Sequence, residues 1–192
     1  MIEKLTLPGN DAPPLRLRSA STTQLVWRVR RGELQAAFGV LPIIDKTLWI
    51  ERVAEEPFCV CLPEHHRLAN HSRLPARELS EETVAWIPRS FHRLLYDQVM
   101  SYLRTLGFSA ERFKEAQTIT QALDFVAIGT GIALVPQSAS RFQRRGVVFR
   151  SLTDDLIRIE TALFVQKEQM RSSVKDFISA AMSATAFLRH RP

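Results

Sequence analysis

An α/β fold is what the amino-acid sequence predicts, on three observations. Short apolar runs such as Phe58–Leu62 and Val84–Ile87 are continuous, as in strands buried on both faces. Between such runs lie segments whose apolar residues recur at helical spacing, among them Leu95, Val99, Tyr102 or Leu103, and Leu106. Glycines stand just past these helical segments, at positions 32, 107 and 129, where a terminating residue in left-handed conformation belongs.

Residues 1–14 read as an irregular leader, because Pro8, Gly9, Pro13 and Pro14 disfavour a helix interior. Leu15–Ala20 reads as a strand. Ser21 and Thr22 can cap a short helix carrying Leu25, Val26 and Val29. Leu34, Ala36, Phe38 and Val40 then alternate as a strand, and a strand–helix–strand order predicts parallel pairing through a right-handed crossover. After the strands and helix just named, Thr118–Gln121 fits a capping box that opens a helix with Leu123, Val126 and Ala127 on one face. Ile132–Val135 returns as a strand stopped by Pro136, and Ile157–Val165 forms a long strand. A final amphipathic helix carries Val174, Phe177, Ile178, Ala181, Met182 and Leu188.

A chain of 192 residues has room for one domain or two small lobes around a real core. Its 45% apolar and 24% charged content is that of an ordinary globular protein. No apolar run approaches the roughly 20 residues of a membrane-spanning helix, and the first residues lack the basic and apolar segments of a secretory signal. A cytoplasmic location without membrane contact is therefore expected. The net charge of +6 could signal nucleic-acid contact, but the arginines are scattered and no basic–aromatic repeat accompanies them. Direct nucleic-acid binding by this chain is not expected.

Cys59 and Cys61 alternate with Phe58, Val60 and Leu62, so in a strand they point to one face. A disulfide between such near neighbours is geometrically poor, and a reduced pair of small core residues is the better reading. With His65 and His66 they suggest zinc, but thiols in a buried strand and imidazoles in a solvent turn would not converge, so no metal is expected. An apolar strand also argues against a redox-sensing thiol. Gly129-Thr130-Gly131 lacks the third glycine and following helix of a dinucleotide fingerprint, and no nucleophile motif surrounds any serine. Neither a cofactor nor catalytic residues are expected.

Three stretches carry a family resemblance. They are Ser19–Gln24 with Gly32-Glu33-Leu34-Gln35-Ala36-Ala37-Phe38-Gly39, then Glu56–Ala69 including His65-His66-Arg67-Leu68-Ala69, then Gln117–Leu123 with Gly129-Thr130-Gly131-Ile132-Ala133-Leu134-Val135-Pro136. In order and spacing they resemble the effector-binding domain of LysR-type transcriptional regulators, while Pro88–Phe91 with Tyr96, and Gly146–Arg150, resemble the subgroup that senses aromatic acids. The resemblance implies two Rossmann-like lobes joined by a hinge, as in type 2 periplasmic binding proteins, with a ligand in the cleft. Lobe I would take residues 15–55 and 160–192, and lobe II residues 56–159. Two departures stand out: Gln35 replaces the motif's aspartate, and the strand and full helix that open the family domain have only Lys4–Leu7 as a counterpart. The winged helix-turn-helix of the family has no counterpart here, so DNA would be contacted only through an N-terminal domain not present in this chain. Side-by-side association into a homodimer or tetramer is implied as well.

The ligand expected is a small organic acid, with a lean toward an aromatic one. An anion would seek free N–H groups and hydroxyls at helix starts, which points to Ser21, Thr22 and Thr23 from one lobe and Thr118 and Thr120 from the other. The same side chains would serve as plain helix caps whether or not a ligand binds. Pro88, Arg89, Ser90 and Phe91 follow a buried strand, and Arg89 either pairs bidentately with a carboxylate or is a solvated surface arginine. Val40 stands where several aromatic-acid sensors carry a basic residue. Against the regulator reading stand a solute-binding protein for transport, an enzyme on the same scaffold, and a truncated regulator fragment without sensing activity.

Overall fold

The computed structural model of the chain describes residues 16–154 and 158–189. Its helices and strands run α1 (Thr22–Arg30), β1 (Ala37–Val40), β2 (Leu48–Glu56), β3 (Phe58–Pro63), β4 (Arg73–Leu74), β5 (Val84–Trp86), α2 (Arg93–Thr105), β6 (Phe113–Glu115), α3 (Ile119–Ala127), β7 (Ile132–Pro136), β8 (Val147–Leu152), β9 (Ile159–Gln166) and α4 (Ser172–Arg189). The chain folds as two units: Glu56–Ile159 is one, and the residues before and after it make the other. Among the described residues no helix is long and apolar enough to cross a membrane.

Among the described residues the first unit is built on a three-stranded sheet in the order β1-β9-β2. Strand β9 is central, and its alternation sends successive side chains to opposite faces. Phe164 joins Leu25 and Val29 of α1, Ala37 and Leu48 on one face. Its neighbour Leu163 joins Val53 and Ala181, with Phe177 and Ile178 of α4 packed beside them. Helix α1 begins where expected because Ser21 and Gln24 form a reciprocal capping box, and it ends before Gly32, whose φ is +72°.

Three expectations for this unit are corrected. Residues 16–20 form no strand; Leu17 is 61% exposed, so the alternation there has no core to enter (Leu15 lies outside the described residues). The expected strand over 34–40 starts only at Ala37, because Glu33 and Leu34 still donate to the Arg28 carbonyl in closing α1. The parallel strand–helix–strand pairing does not form, and β1 pairs antiparallel with β9 in the register Ala37↔Phe164 to Val40↔Thr161. Strand β9 begins at Ile159, and Ile157 lies outside the described residues, as do the leader and the side chain of Leu188.

The second unit holds a six-stranded sheet in the order β4-β8-β3-β7-β5-β6. Strand β3 runs antiparallel to both neighbours, while β5 runs parallel to β6 and β7. All five residues Phe58–Leu62 are buried, which explains their unbroken apolar character. Cys59, Cys61, Ala85, Ala133 and Val135 lie on the face covered by Ala122, Leu123 and Val126 of α3. On α2, Leu95, Val99, Met100 and Leu103 are buried, the stripe that the spacing predicts.

Candidate functional site

In the first unit, the structure brings Ser21, Thr22 and Val40 together. The Ser21 hydroxyl accepts the Gln24 backbone N–H at 3.3 Å, and the Gln24 side-chain Oε1 accepts the Ser21 backbone N–H at 3.3 Å. The Thr22 hydroxyl accepts the Val40 N–H at 3.1 Å, tying the start of α1 to the end of β1. A hydroxyl that accepts in this way still carries a proton to donate. The approach is close because residue 39 is glycine: a Cβ there would lie 3.0 Å from the Thr22 methyl group. Thr23 follows on the exposed side of the helix.

In the second unit, the segments at 88–91 and 118–120 leave the C-terminal ends of two neighbouring parallel strands, β5 and β6. That edge of a parallel sheet is where ligands commonly settle. The Ala116 N–H donates to the Trp86 carbonyl at 2.8 Å and keeps the two strand ends side by side. Pro88 and Phe91 close a turn, the Phe91 N–H reaching the Pro88 carbonyl at 3.0 Å, and Arg89 and Ser90 stand exposed on it. Thr118 caps α3 by accepting the Gln121 N–H at 3.0 Å. The expected reciprocal bond is displaced by one residue, since the Gln121 side chain accepts the Gln117 N–H at 2.7 Å. Thr120 lies exposed in the first turn of α3.

Arg89 is neither bare nor merely solvated. Its Nε and Nη2 donate to Oδ1 and Oδ2 of Asp97 on α2, each at 2.7 Å, a two-pronged pair of the kind a guanidinium makes with any carboxylate. The Arg89 guanidinium holds the Asp97 carboxyl below its ordinary value. Asp97 is the site residue that the sequence reading misses, because an eight-residue separation from a turn into a helix leaves no periodic signal.

The two cysteines are buried side by side on the sheet. Desolvation, helped by Glu56 beside Cys59 and by Cys59 beside Cys61, pushes both thiols up to about 12. At pH 8 such a thiol is ionised in only about one molecule in ten thousand. Neither cysteine is therefore expected to react with iodoacetamide in the folded chain within an hour at pH 8, and both should react in guanidinium chloride. Mass spectrometry of the native chain showing a labelled cysteine would contradict this burial.

Residues 12–186 match the model of the LysR substrate binding domain. The chain belongs to that family. It is 29% identical over 168 residues to the HTH-type transcriptional regulator BudR of Raoultella terrigena, a match covering 87% of this chain and 58% of BudR. This LysR substrate-binding domain also superposes on full-length BenM carrying E226K with a TM-score of 0.80 at 21% identity, over 92% of this chain and 59% of BenM. The effector binding domain of BenM with its effector benzoate gives a TM-score of 0.77 at 20% identity, over 92% of this chain and 81% of that domain. The fold is thus that of LysR effector-binding domains, which are built like type 2 periplasmic binding proteins. The chain spans about half the length of the curated relatives it matches, and BudR, like CatR of Pseudomonas putida (29% identical over 140 residues, 73% of this chain and 48% of CatR), is named as a transcriptional regulator.

Proposed function

We propose that this LysR substrate-binding domain is the sensing and oligomerisation part of a cytoplasmic bacterial transcription regulator, and that it binds a small organic acid without transforming it. The observation that carries the reading is a pair of threonines at two helix starts, Thr22 opening α1 and Thr118 capping α3. Each hydroxyl accepts a backbone N–H from its own unit and so is fixed in place with its proton left to donate. Beside each lies the first turn of a helix, whose N–H groups have no carbonyl within the helix and attract an anion. In this reading the acid is held by Ser21, Thr22, Thr23 and Val40 of the first unit and by Pro88, Arg89, Ser90, Phe91, Thr118 and Thr120 of the second. Binding would favour one arrangement of the units over another, and a DNA-binding segment outside this chain would respond within a homodimer or tetramer.

Arg89 enters by exchange, the ligand carboxylate taking the place of Asp97. BenM is described with benzoate as its effector, and an aromatic carboxylate is accordingly the favoured class. A panel of benzoate, substituted benzoates and aliphatic acids should contain at least one compound that raises the melting temperature by several degrees. Saturating ligand at about a hundredfold its Kd contributes roughly 2.7 kcal/mol, and about 1 kcal/mol moves the midpoint by ~2–4 °C at this size. Thr22→Val, Thr118→Val and Arg89→Ala should each weaken the hit about tenfold, or about 1.4 kcal/mol. A hit whose Kd is unchanged in all three variants places the ligand elsewhere.

A further inference from the structure

Within the second unit lies a hollow of about 390 Å³ between the strand β8, the segment before β4 and the turn after β7, with none of the residues assigned to the effector in its lining. Its polar lining is Asn70, His71, Ser72, Gln137, Arg150 and Ser151, and among the described residues it contains no acidic side chain. Phe149 supplies the apolar part of the wall. Arg150 is half-buried and held by two backbone carbonyls: its Nε donates to Ala69 at 2.8 Å and its Nη1 to Phe149 at 2.7 Å. Arg52, Arg89 and Arg112 each face a carboxylate. Arg150 has neutral carbonyls as the partners of these two bonds, and among the described residues it makes no ion pair. A guanidinium has five N–H donors, so further donors remain beyond these two bonds.

We infer that this hollow is a second binding site, for a tetrahedral oxyanion such as phosphate, either free or as the phosphoryl group of a small metabolite. The number of donors is what selects this class. Ser72, Ser151, Asn70, Gln137, His71 and Arg150, each a residue that carries a side-chain donor, all line one space. An anion with three or four oxygens can answer them, whereas a carboxylate offers two. The hollow is also much larger than the ~30 Å³ a water molecule occupies, which leaves room for a small organic body against Phe149. Arg150 needs no rearrangement to receive the anion, since its carbonyl bonds already fix it, and such preorganisation lowers the cost of binding.

The test is calorimetric titration of the whole chain with inorganic phosphate and, separately, glycerol 3-phosphate, at constant ionic strength with chloride as the balancing anion. Saturable binding is expected, weakened about tenfold or more in Arg150→Gln and in the double variant His71→Ala/Ser72→Ala. The double variant keeps Arg150 and its carbonyl bonds, so it reports on the site even where Arg150→Gln loses structure. Thr22→Val should bind phosphate as the parent does, which separates this site from the effector site. Equal affinity for both probes marks free phosphate as sufficient, and tighter binding of the ester marks a phosphorylated metabolite. No saturation by either probe up to about 50 mM, or affinities unchanged in both Arg150→Gln and the double variant, would overturn the inference.

Discussion

Replacing Gly131 by alanine is expected to destabilise the second unit by about 3 kcal/mol or more, among the larger effects a single methyl group can have. A Cβ at this position would overlap the Thr83 carbonyl oxygen and lie 2.8 Å from the Phe125 ring. The carbonyl cannot step aside cheaply. It accepts the Ile132 N–H at 2.8 Å, and Val84, next in the chain, is paired with Ile132 across β5 and β7. Relief would therefore break the ladder between two parallel strands in the middle of the sheet. Gly129 is the natural control. It has a φ of +75° but nothing within 4 Å of its would-be Cβ, so Gly129→Ala should cost only the left-handed backbone penalty of ~1–2 kcal/mol. Thermal unfolding followed by circular dichroism should place Gly131→Ala at least about 6 °C below the parent. Equal shifts for the two variants would mean that the close approach at Gly131 is not what constrains it.

In the first unit the largest loss is expected from Phe164→Ala, about 3–5 kcal/mol. Phe164 is fully buried on the central strand β9, where it meets Leu25, Val29, Ala37 and Leu48. Its ring also lies over Gly39, whose would-be Cβ would come 2.9 Å from it. With glycine on one side and a fixed helix on the other, little can move in to fill the space, so most of the ring's volume should remain as a cavity. Leu17→Ala, at a residue 61% exposed, should change stability by less than about 0.5 kcal/mol. A calorimetric scan of the two variants measures both. A loss below about 1 kcal/mol for Phe164→Ala would show that the α1 face collapses around the gap.

What was legible in the sequence follows from how local each signal is. The Ser21 cap, the glycine ends and the stripes of α2 and α3 depend on residues within a few positions of one another, and they are found where the spacing puts them. Strand β3 announced itself because burial on both faces leaves no polar position. Strand β2 was missed for the opposite reason. Among the described residues it is an edge strand, and its buried positions Leu48 and Val53 are separated by the exposed Glu51 and Arg52, so neither alternation nor an apolar run survives. Strands β4 and β6, of two and three residues, are too short to show a period. The pairing of β1 with β9 rather than with a strand before α1 is a contact between distant segments, which periodicity cannot encode. At the candidate site the threonines could be read as helix starts, but the bond from Val40 to Thr22 and the grip of Asp97 on Arg89 could not.

The strand order β1-β9-β2 carries a consequence for how the chain comes to be folded. The second unit is continuous in sequence, so its six strands can all be present while the ribosome is still adding residues beyond Ile159. The first unit cannot close at that stage. Its two outer strands are made early, yet the strand that must lie between them is made after the whole second unit. Until β9 emerges, β1 and β2 have no shared partner and Leu25, Val29 and Leu48 have no Phe164 to cover them. Contacts this distant in sequence form slowly because a long loop must be closed first. The nascent first unit is thus the stage at which apolar surface and unpaired strand edges are longest on display, and at which a chaperone would have most to hold.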